Sequence, residues 1–125
     1  MGYRSEVVIV VPRDSKQAIL DIIPLEDWNK VHDNEHDDYG NDIKTTLFYL
    51  SATKWYPKTV SSVNGETILN GYDEVNKVMD YLTLLDEIEG GSKYAFVRSG
   101  EEFDDVEELG DPYKYGIYIN KSIDF

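Results

Sequence analysis

The chain has 125 residues, which is enough for one domain that buries its own core. Its 25 acidic residues against 12 lysines and arginines give a net charge of −13, which argues against direct binding of nucleic acid or anionic membranes and favours a partner with a basic surface. It contains no cysteine, no apolar run near the roughly 20 residues that cross a bilayer and no signal-peptide layout, so we expect a cytoplasmic protein.

The first half of the chain alternates between apolar runs and polar turns. Residues 6–11 (EVVIVV) predict a central strand that is covered on both faces. A helix with apolar residues at helical spacing follows and ends at Pro24, and Trp28 lies in one further short turn or helix. Residues 33–42 are polar and acidic, which predicts an exposed loop, and residues 45–51 predict a second strand.

The middle of the chain carries a hairpin signal and the clearest helix. Residues 60–69 hold Asn64-Gly65 between short β-prone pieces, which predicts a two-residue hairpin. Residues 73–89 have apolar side chains at the 3.6-residue period, and Gly90 follows them, so we predict a helix over this range.

The last third is predicted to form a second hairpin, from residues 94–98 and 115–120, because both segments are rich in aromatic and β-branched residues. Their connection, residues 101–111, holds seven carboxylates and no cation. Three apolar residues recur in it at three-residue spacing and predict a turn of helix that anchors the connection to the body of the protein. These residues are Phe103, Val106 and Leu109.

The element order β-α-β-hairpin-α-β-β predicts an α+β fold. Short connections satisfy this order with an antiparallel or mixed sheet of about four to six strands and two main helices packed on one face. The sequence shows no repeat and no linker, so we expect residues 1–125 to form a single domain.

His32, Glu35 and His36 match the H-x-x-E-H pattern of inverted zinc peptidases. That pattern needs a helix, on which the two imidazoles share one face, and here it lies among Asp, Asn and Gly residues that oppose helix. Two solvated loop histidines are the preferred interpretation, and we predict no zinc site.

Carboxylates alternate at Asp33, Glu35 and Asp37, which raises a calcium site as an alternative. An EF-hand counted from Asp33 requires glycine at its sixth position and glutamate at its twelfth, where this chain has Asp38 and Lys44. We therefore predict no dedicated metal site and no cofactor, and weak nonspecific binding of a divalent ion to this loop stays open.

The sequence lacks the motifs of common catalytic sites, with no G-x-S-x-G, no P-loop and no G-x-G-x-x-G. No cysteine and two clustered histidines leave few groups for nucleophilic catalysis. We expect a protein that is not an enzyme, and the alternative is a small hydrolase that uses carboxylates and a divalent ion.

Arg4 and Arg98 lie within β-prone stretches. Their planar donors suit an anion clamp, but pairing with a nearby carboxylate is the preferred interpretation, because a paired arginine is tolerated near a sheet. The alternative function is a small-ligand binding or sequestering protein whose pocket is lined by these arginines and by Trp55 and Tyr56.

The acidic residues concentrate in two segments, 26–42 and 101–111, which hold 14 of the 25 carboxylates. A solvated face is one interpretation. The other is a row of carboxylates that competes for a basic groove by imitating the phosphates of DNA, with an affinity that falls steeply with salt. The predicted partner-binding residues are Asp33, Glu35, Asp37, Asp38, Glu101, Glu102, Asp104, Asp105, Glu107, Glu108 and Asp111.

Residues 1–7 (MGYRSEV), 54–56 (KWY) and 94–107 (YAFVRSGEEFDDVE) resemble small acidic proteins of bacteriophages and prophages, whereas residues 63–71 look like an insertion. That group has no settled activity, so the resemblance implies an origin and supplies no catalytic residues. By analogy with acidic phage proteins that imitate DNA, it implies a stoichiometric inhibitor in the cytoplasm of an infected bacterium. We therefore predict a non-enzymatic inhibitor that binds a host defence or nucleic-acid-handling protein through its acidic loops.

Overall fold

The computed structural model of the protein describes residues 5–53, 55, 59–63, 66–70, 73–100, 106–119 and 123–124. The α-helices are α1 (Lys16–Ile22) and α2 (Asp73–Glu89). The strands are β1 (Ser5–Pro12), β2 (Lys30–Asn34), β3 (Thr45–Thr53), β4 (Thr59–Val63), β5 (Glu66–Asn70), β6 (Ala95–Ser99), β7 (Val106–Gly110), β8 (Tyr118–Ile119) and β9 (Ile123–Asp124). Short 3₁₀ helices cover Arg13–Ser15, Leu25–Asp27, Gly91–Lys93 and Pro112–Tyr115.

β1 lies at the centre of a five-stranded antiparallel sheet in the order β2-β3-β1-β6-β7. Every residue from Val7 to Val11 is 0% exposed. Successive side chains of a strand point to opposite faces, so this run is buried only because both faces of the sheet are covered. The predicted central strand and the α+β class are thereby confirmed.

The two helices cover one face of the sheet, as predicted. Val7, Ile9 and Val11 point to this face and belong to one core cluster with Ile19 of α1 and Leu82 of α2. The helix predicted over residues 73–89 is confirmed as α2, and its buried side chains recur at helical spacing. They are Val75, Val78, Leu82 and Leu85.

The second face of the sheet is covered by irregular chain. Val8 and Val10 point to this face and pack with Val97 and Ile117 in a separate core cluster. Ile117 follows the 3₁₀ helix Pro112–Tyr115. It lies within residues 115–120, which the sequence predicts to form a strand. This second layer leaves the edge of the sheet beside β2 uncovered, and a pocket opens there.

The hairpin predicted over residues 60–69 is present. β4 and β5 pair in antiparallel register from Thr59 with Asn70 to Val63 with Glu66. That register leaves two residues for the turn, as the Asn64-Gly65 pair predicts, and these two lie outside the described residues.

Residues 106–110 form β7 rather than the predicted turn of helix, and β7 pairs along its length with β6. The hairpin partner of β6 is therefore β7, and the prediction that residues 115–120 fill this role is wrong. Leu109 is 39% exposed and does not anchor the segment, and Phe103 lies outside the described residues. The sequence did not predict this strand, because an edge strand with two exposed glutamates lacks the alternation of apolar and polar residues that marks a half-buried strand.

The opposite edge strand, β2, was also missed. Its residues 30–34 were assigned to a short turn or helix and to the start of an exposed loop, which instead begins at Glu35. Val31 is the one apolar residue of β2. A strand with a single neighbour and a polar outer side gives no period-two signal.

Neither described helix combines the length and the apolar character that a membrane span requires.

We expect Gly110→Ala to lower the free energy of unfolding by about 3 kcal/mol and Gly40→Ala by about 1 kcal/mol. Both glycines have a positive φ, +75° and +84°, so both alanine variants carry left-handed strain. A Cβ on Gly110 would also overlap the Tyr94 carbonyl oxygen, whereas one on Gly40 meets open space. Urea denaturation of the two variants measures the difference, and equal losses would contradict the close packing of β7 against the start of β6.

Candidate functional site

The two acidic segments of the sequence lie at opposite edges of the sheet. β2 carries Asp33 and leads into the loop with Glu35, Asp37 and Asp38, whereas β7 carries Glu107 and Glu108 on the far side. Four inter-strand spacings of about 4.8 Å separate the two edge strands, so they lie roughly 19 Å apart. The described members of the predicted partner-binding set therefore lie at both edges and do not form one continuous row.

At the β2 edge the carboxylates are paired within the protein. Asp33 accepts hydrogen bonds from Thr46 Oγ1 at 2.8 Å and from Lys16 Nζ at 3.1 Å. These two hydrogen bonds hold the pKa of Asp33 below its ordinary value. Glu35 forms an ion pair of 2.9 Å with Arg13. These carboxylates stabilise the fold, and the neighbouring cations compensate most of their negative charge.

Asp37 organises the loop that follows β2. Its side chain is 7% exposed and accepts hydrogen bonds from the backbone N–H groups of Tyr39 (2.9 Å) and Asn41 (2.8 Å) and from the Asn41 side-chain amide (2.9 Å). Burial raises the pKa of Asp37, but these donors and the charge of Lys114 outweigh it, so the net shift is downward. Asp37 therefore stabilises this loop, and its predicted role in partner binding stays a prediction.

Arg98 is a structural residue as well. Its Nε and Nη2 atoms donate to Glu107 Oε1 at 3.0 and 2.8 Å, and Nη1 donates to Ser5 Oγ at 3.0 Å. The residue is only 8% exposed. This agrees with the preferred interpretation of a paired arginine and joins β7 to the body of the sheet.

The predicted pocket lined by arginine and aromatic residues is not formed by the described members of that set. Trp55 is 4% exposed and packs in the helix-side core, with its ring 6.2 Å from the ring of Phe96. Arg98 is engaged as above, and Arg4 and Tyr56 lie outside the described residues. The version of the small-ligand hypothesis that depends on Arg98 and Trp55 loses its support.

A second group of carboxylates lies beside β7, on the last turns of α2. A Cβ built on Gly91 would lie 3.4 Å from Asp86 Oδ1 and 3.9 Å from Gly110 Cα, so the 3₁₀ helix that directly follows α2 contacts the end of β7. We refer to the exposed carboxylates of the last turns of α2 and of β7 as the acidic edge. Its members are Asp86, Glu87, Glu89, Glu107 and Glu108. The helical members of the acidic edge were not predicted to be partner-binding residues, because only the acidic loops were considered for that role.

The charge of the acidic edge is poorly compensated. Residues 86–111 hold ten carboxylates and two cations, a net charge of −8 out of the total of −13. Within the described residues, Glu87, Glu89 and Glu108 have no hydrogen-bond or ion-pair partner. The last turn of α2 contains no basic residue, so its carboxylates stand at the negative end of the helix dipole.

A pocket of about 380 Å³ opens beside β2 on the second face of the sheet. Lys30, His32 and Asn34 of β2 form one wall, residues 36–38 form its end, and Tyr115 and the adjacent Gly116 form the opposite side. The sequence analysis assigned the two histidines to a solvated loop and did not place them in one pocket. The period-two spacing of Lys30, His32 and Asn34 was the available signal, and it required β2 to be recognised as a strand.

The loop end of the pocket is fixed by a backbone contact. Asp38 N donates to the carbonyl oxygen of Lys114 at 2.6 Å, which ties the loop to the 3₁₀ helix before Tyr115. In the part of the chain that the structure describes, no group of three His, Asp or Glu side chains is arranged to hold a metal ion.

Tyr115 is the pocket residue with the largest change in acidity. Burial raises the pKa of its hydroxyl to about 12, and the carboxylates of Asp111 and Asp37 add to this effect. The hydroxyl therefore stays protonated across the physiological range and presents a hydrogen-bond donor.

Comparison of the chain with protein-family models, with curated proteins and with solved structures found no match.

We expect the free energy of unfolding to fall as the pH rises from about 10 to about 12, and to fall less steeply in Tyr115→Phe. The pKa of Tyr115 is raised in the folded protein, so the unfolded chain loses this proton first and the stabilisation present below pH 10 disappears through this range. Urea denaturation at a series of pH values measures the slope. Tyr113→Phe, at an exposed neighbouring tyrosine, is the control, and the same slope in both variants would contradict the burial of Tyr115.

Proposed function

We propose that this protein is a phage-encoded, non-enzymatic inhibitor that binds a basic surface of a host protein through the acidic edge, in the cytoplasm of the infected bacterium. The observation that carries the proposal is that three carboxylates of the acidic edge, Glu87 and Glu89 of α2 and Glu108 of β7, have no partner among the described residues. The phage origin rests on the sequence resemblance, and a defence or nucleic-acid-handling protein is the class of partner whose function requires a basic groove.

Protection of the sheet edge explains only part of this charge. Charged residues on an edge strand discourage pairing with other chains, and Glu107 and Glu108 of β7 fit that role. The carboxylates of α2 do not lie on a strand. They stand at the helix terminus where negative charge is unfavourable, by about 0.3–1 kcal/mol each. A cationic partner would remove this cost, whereas solubility could be provided by acids at positions that carry no such cost.

Imitation of DNA is the more specific form of the proposal. Four further carboxylates, at residues 101, 102, 104 and 105, precede β7 directly in the sequence and add to the negative charge of this part of the chain. The β2 edge would not take part, because Asp33 and Glu35 are already paired. A row of carboxylates that imitates phosphates releases its counterions when it binds a basic groove, so the affinity falls steeply as the salt concentration rises. The salt dependence of binding therefore tests the DNA-imitation hypothesis.

We expect Glu87→Lys/Glu108→Lys to reduce capture of the host partner at least about tenfold, because each reversal places like charges against a basic surface. The assay is a pull-down from bacterial lysate with the tagged protein, washed at about 50 mM and about 200 mM salt. The matched control is Glu26→Lys/Asp42→Lys, which makes the same change in net charge at two exposed acids far from the acidic edge in sequence.

A partner retained by the wild type and by the control, released by salt and lost by the Glu87/Glu108 variant is the expected result. Retention of the same partner by both variants with the same salt dependence would contradict recognition through the acidic edge. No retained protein at either salt concentration would contradict the inhibitor proposal as a whole.

A further inference from the structure

We infer that the pocket beside β2 binds a small organic anion, through a phosphate or carboxylate group held by Lys30, His32 and Asn34. The pocket lies at the opposite edge of the sheet from the acidic edge, so this inference is independent of the proposed function. A chain with a net charge of −13 has few surfaces that attract an anion. Three hydrogen-bond donors on one side of a pocket therefore indicate an anion site.

The register of β2 places the three donors on one face. Lys30, His32 and Asn34 pair with Tyr49, Leu47 and Thr45 of β3, and Leu47 belongs to the core of the second face. Alternate residues of a strand share a face, so the three polar side chains rise together at the rim of the sheet. Val31, between two of them, packs against the helix-side core instead.

The chemistry of the lining favours an oxyanion. Lys30 brings a positive charge, the imidazoles and the Asn34 amide can each donate, and Tyr115 also lines the pocket. Asp37 opposes an anion less than its charge suggests, because three hydrogen bonds and the charge of Lys114 already compensate it.

The size of the pocket indicates more than a bare inorganic ion. A volume of about 380 Å³ falls in the range of sites for small organic molecules. Leu47 and the ring of Tyr115 offer apolar contact on the sides away from Lys30. Asp38, at the loop end, would meet a hydroxyl or a cationic group of the ligand. The expected ligand is therefore an oxyanion joined to a planar or apolar body.

The test is an NMR titration of backbone amides with phenyl phosphate, with benzoate and with phenol as a neutral control. We expect saturable shifts at residues 30–36 and 115–116 with at least one of the two anions. Lys30→Gln should weaken that binding at least about fivefold, and Lys44→Gln, at an exposed lysine outside the lining, should change it less than about twofold.

Tighter binding of phenyl phosphate would identify a phosphate ligand, tighter binding of benzoate would identify a carboxylate, and either supports the inference. Phenol that binds as tightly as both anions would overturn it, since the pocket would then select only for a ring. The absence of saturable shifts with both anions at pH 6 would overturn it as well. Amide spectra of each variant report whether the fold is retained, so a loss of binding is not confused with unfolding.

Discussion

The burial of β1 on both faces is the constraint on which the rest of the structure depends. Because Val7 to Val11 are fully buried, the sheet needs a covering layer on each side. α1 and α2 supply one layer, and the segment that ends in Ile117 supplies the other. With β1 in the middle, β2 and β7 become the two edges of the sheet, and edge strands are where a sheet carries polar and charged side chains.

The two edges use their charge differently, and that difference locates the candidate sites. At β2, Arg13 and Lys16 compensate the nearby carboxylates, and the same strand turns three donors toward a pocket. At the other edge, Arg98 compensates Glu107 of β7, whereas Glu108 and the glutamates of the α2 terminus have no partner among the described residues. These carboxylates cost the free protein electrostatic energy, and the proposal assigns that cost to the binding of a cationic partner.

The sequence predicted those elements in which burial gives the apolar residues a regular spacing. The apolar run of β1, the 3.6-residue period of α2 and the Asn64-Gly65 hairpin were each predictable from local physics. β2 and β7 were not, because one exposed side and a single neighbouring strand leave no apolar alternation to detect. Both candidate sites lie on these edges. The pairing of Arg98 with Glu107 was anticipated in kind, whereas the approach of β7 to the 3₁₀ helix that follows α2 depends on tertiary contacts that no local pattern reports.

The most direct test of the central claim, that the acidic edge is not required by the fold, is the thermal stability of Glu87→Lys/Glu89→Lys without any partner. Lysine at the end of a helix interacts favourably with its dipole, so we expect the melting temperature to rise by about 3–6 °C relative to the wild type. The Glu26→Lys/Asp42→Lys control should change it by less. A melting temperature that falls in the Glu87/Glu89 variant would show that these carboxylates stabilise the protein itself, and would contradict the assignment of this surface to a partner.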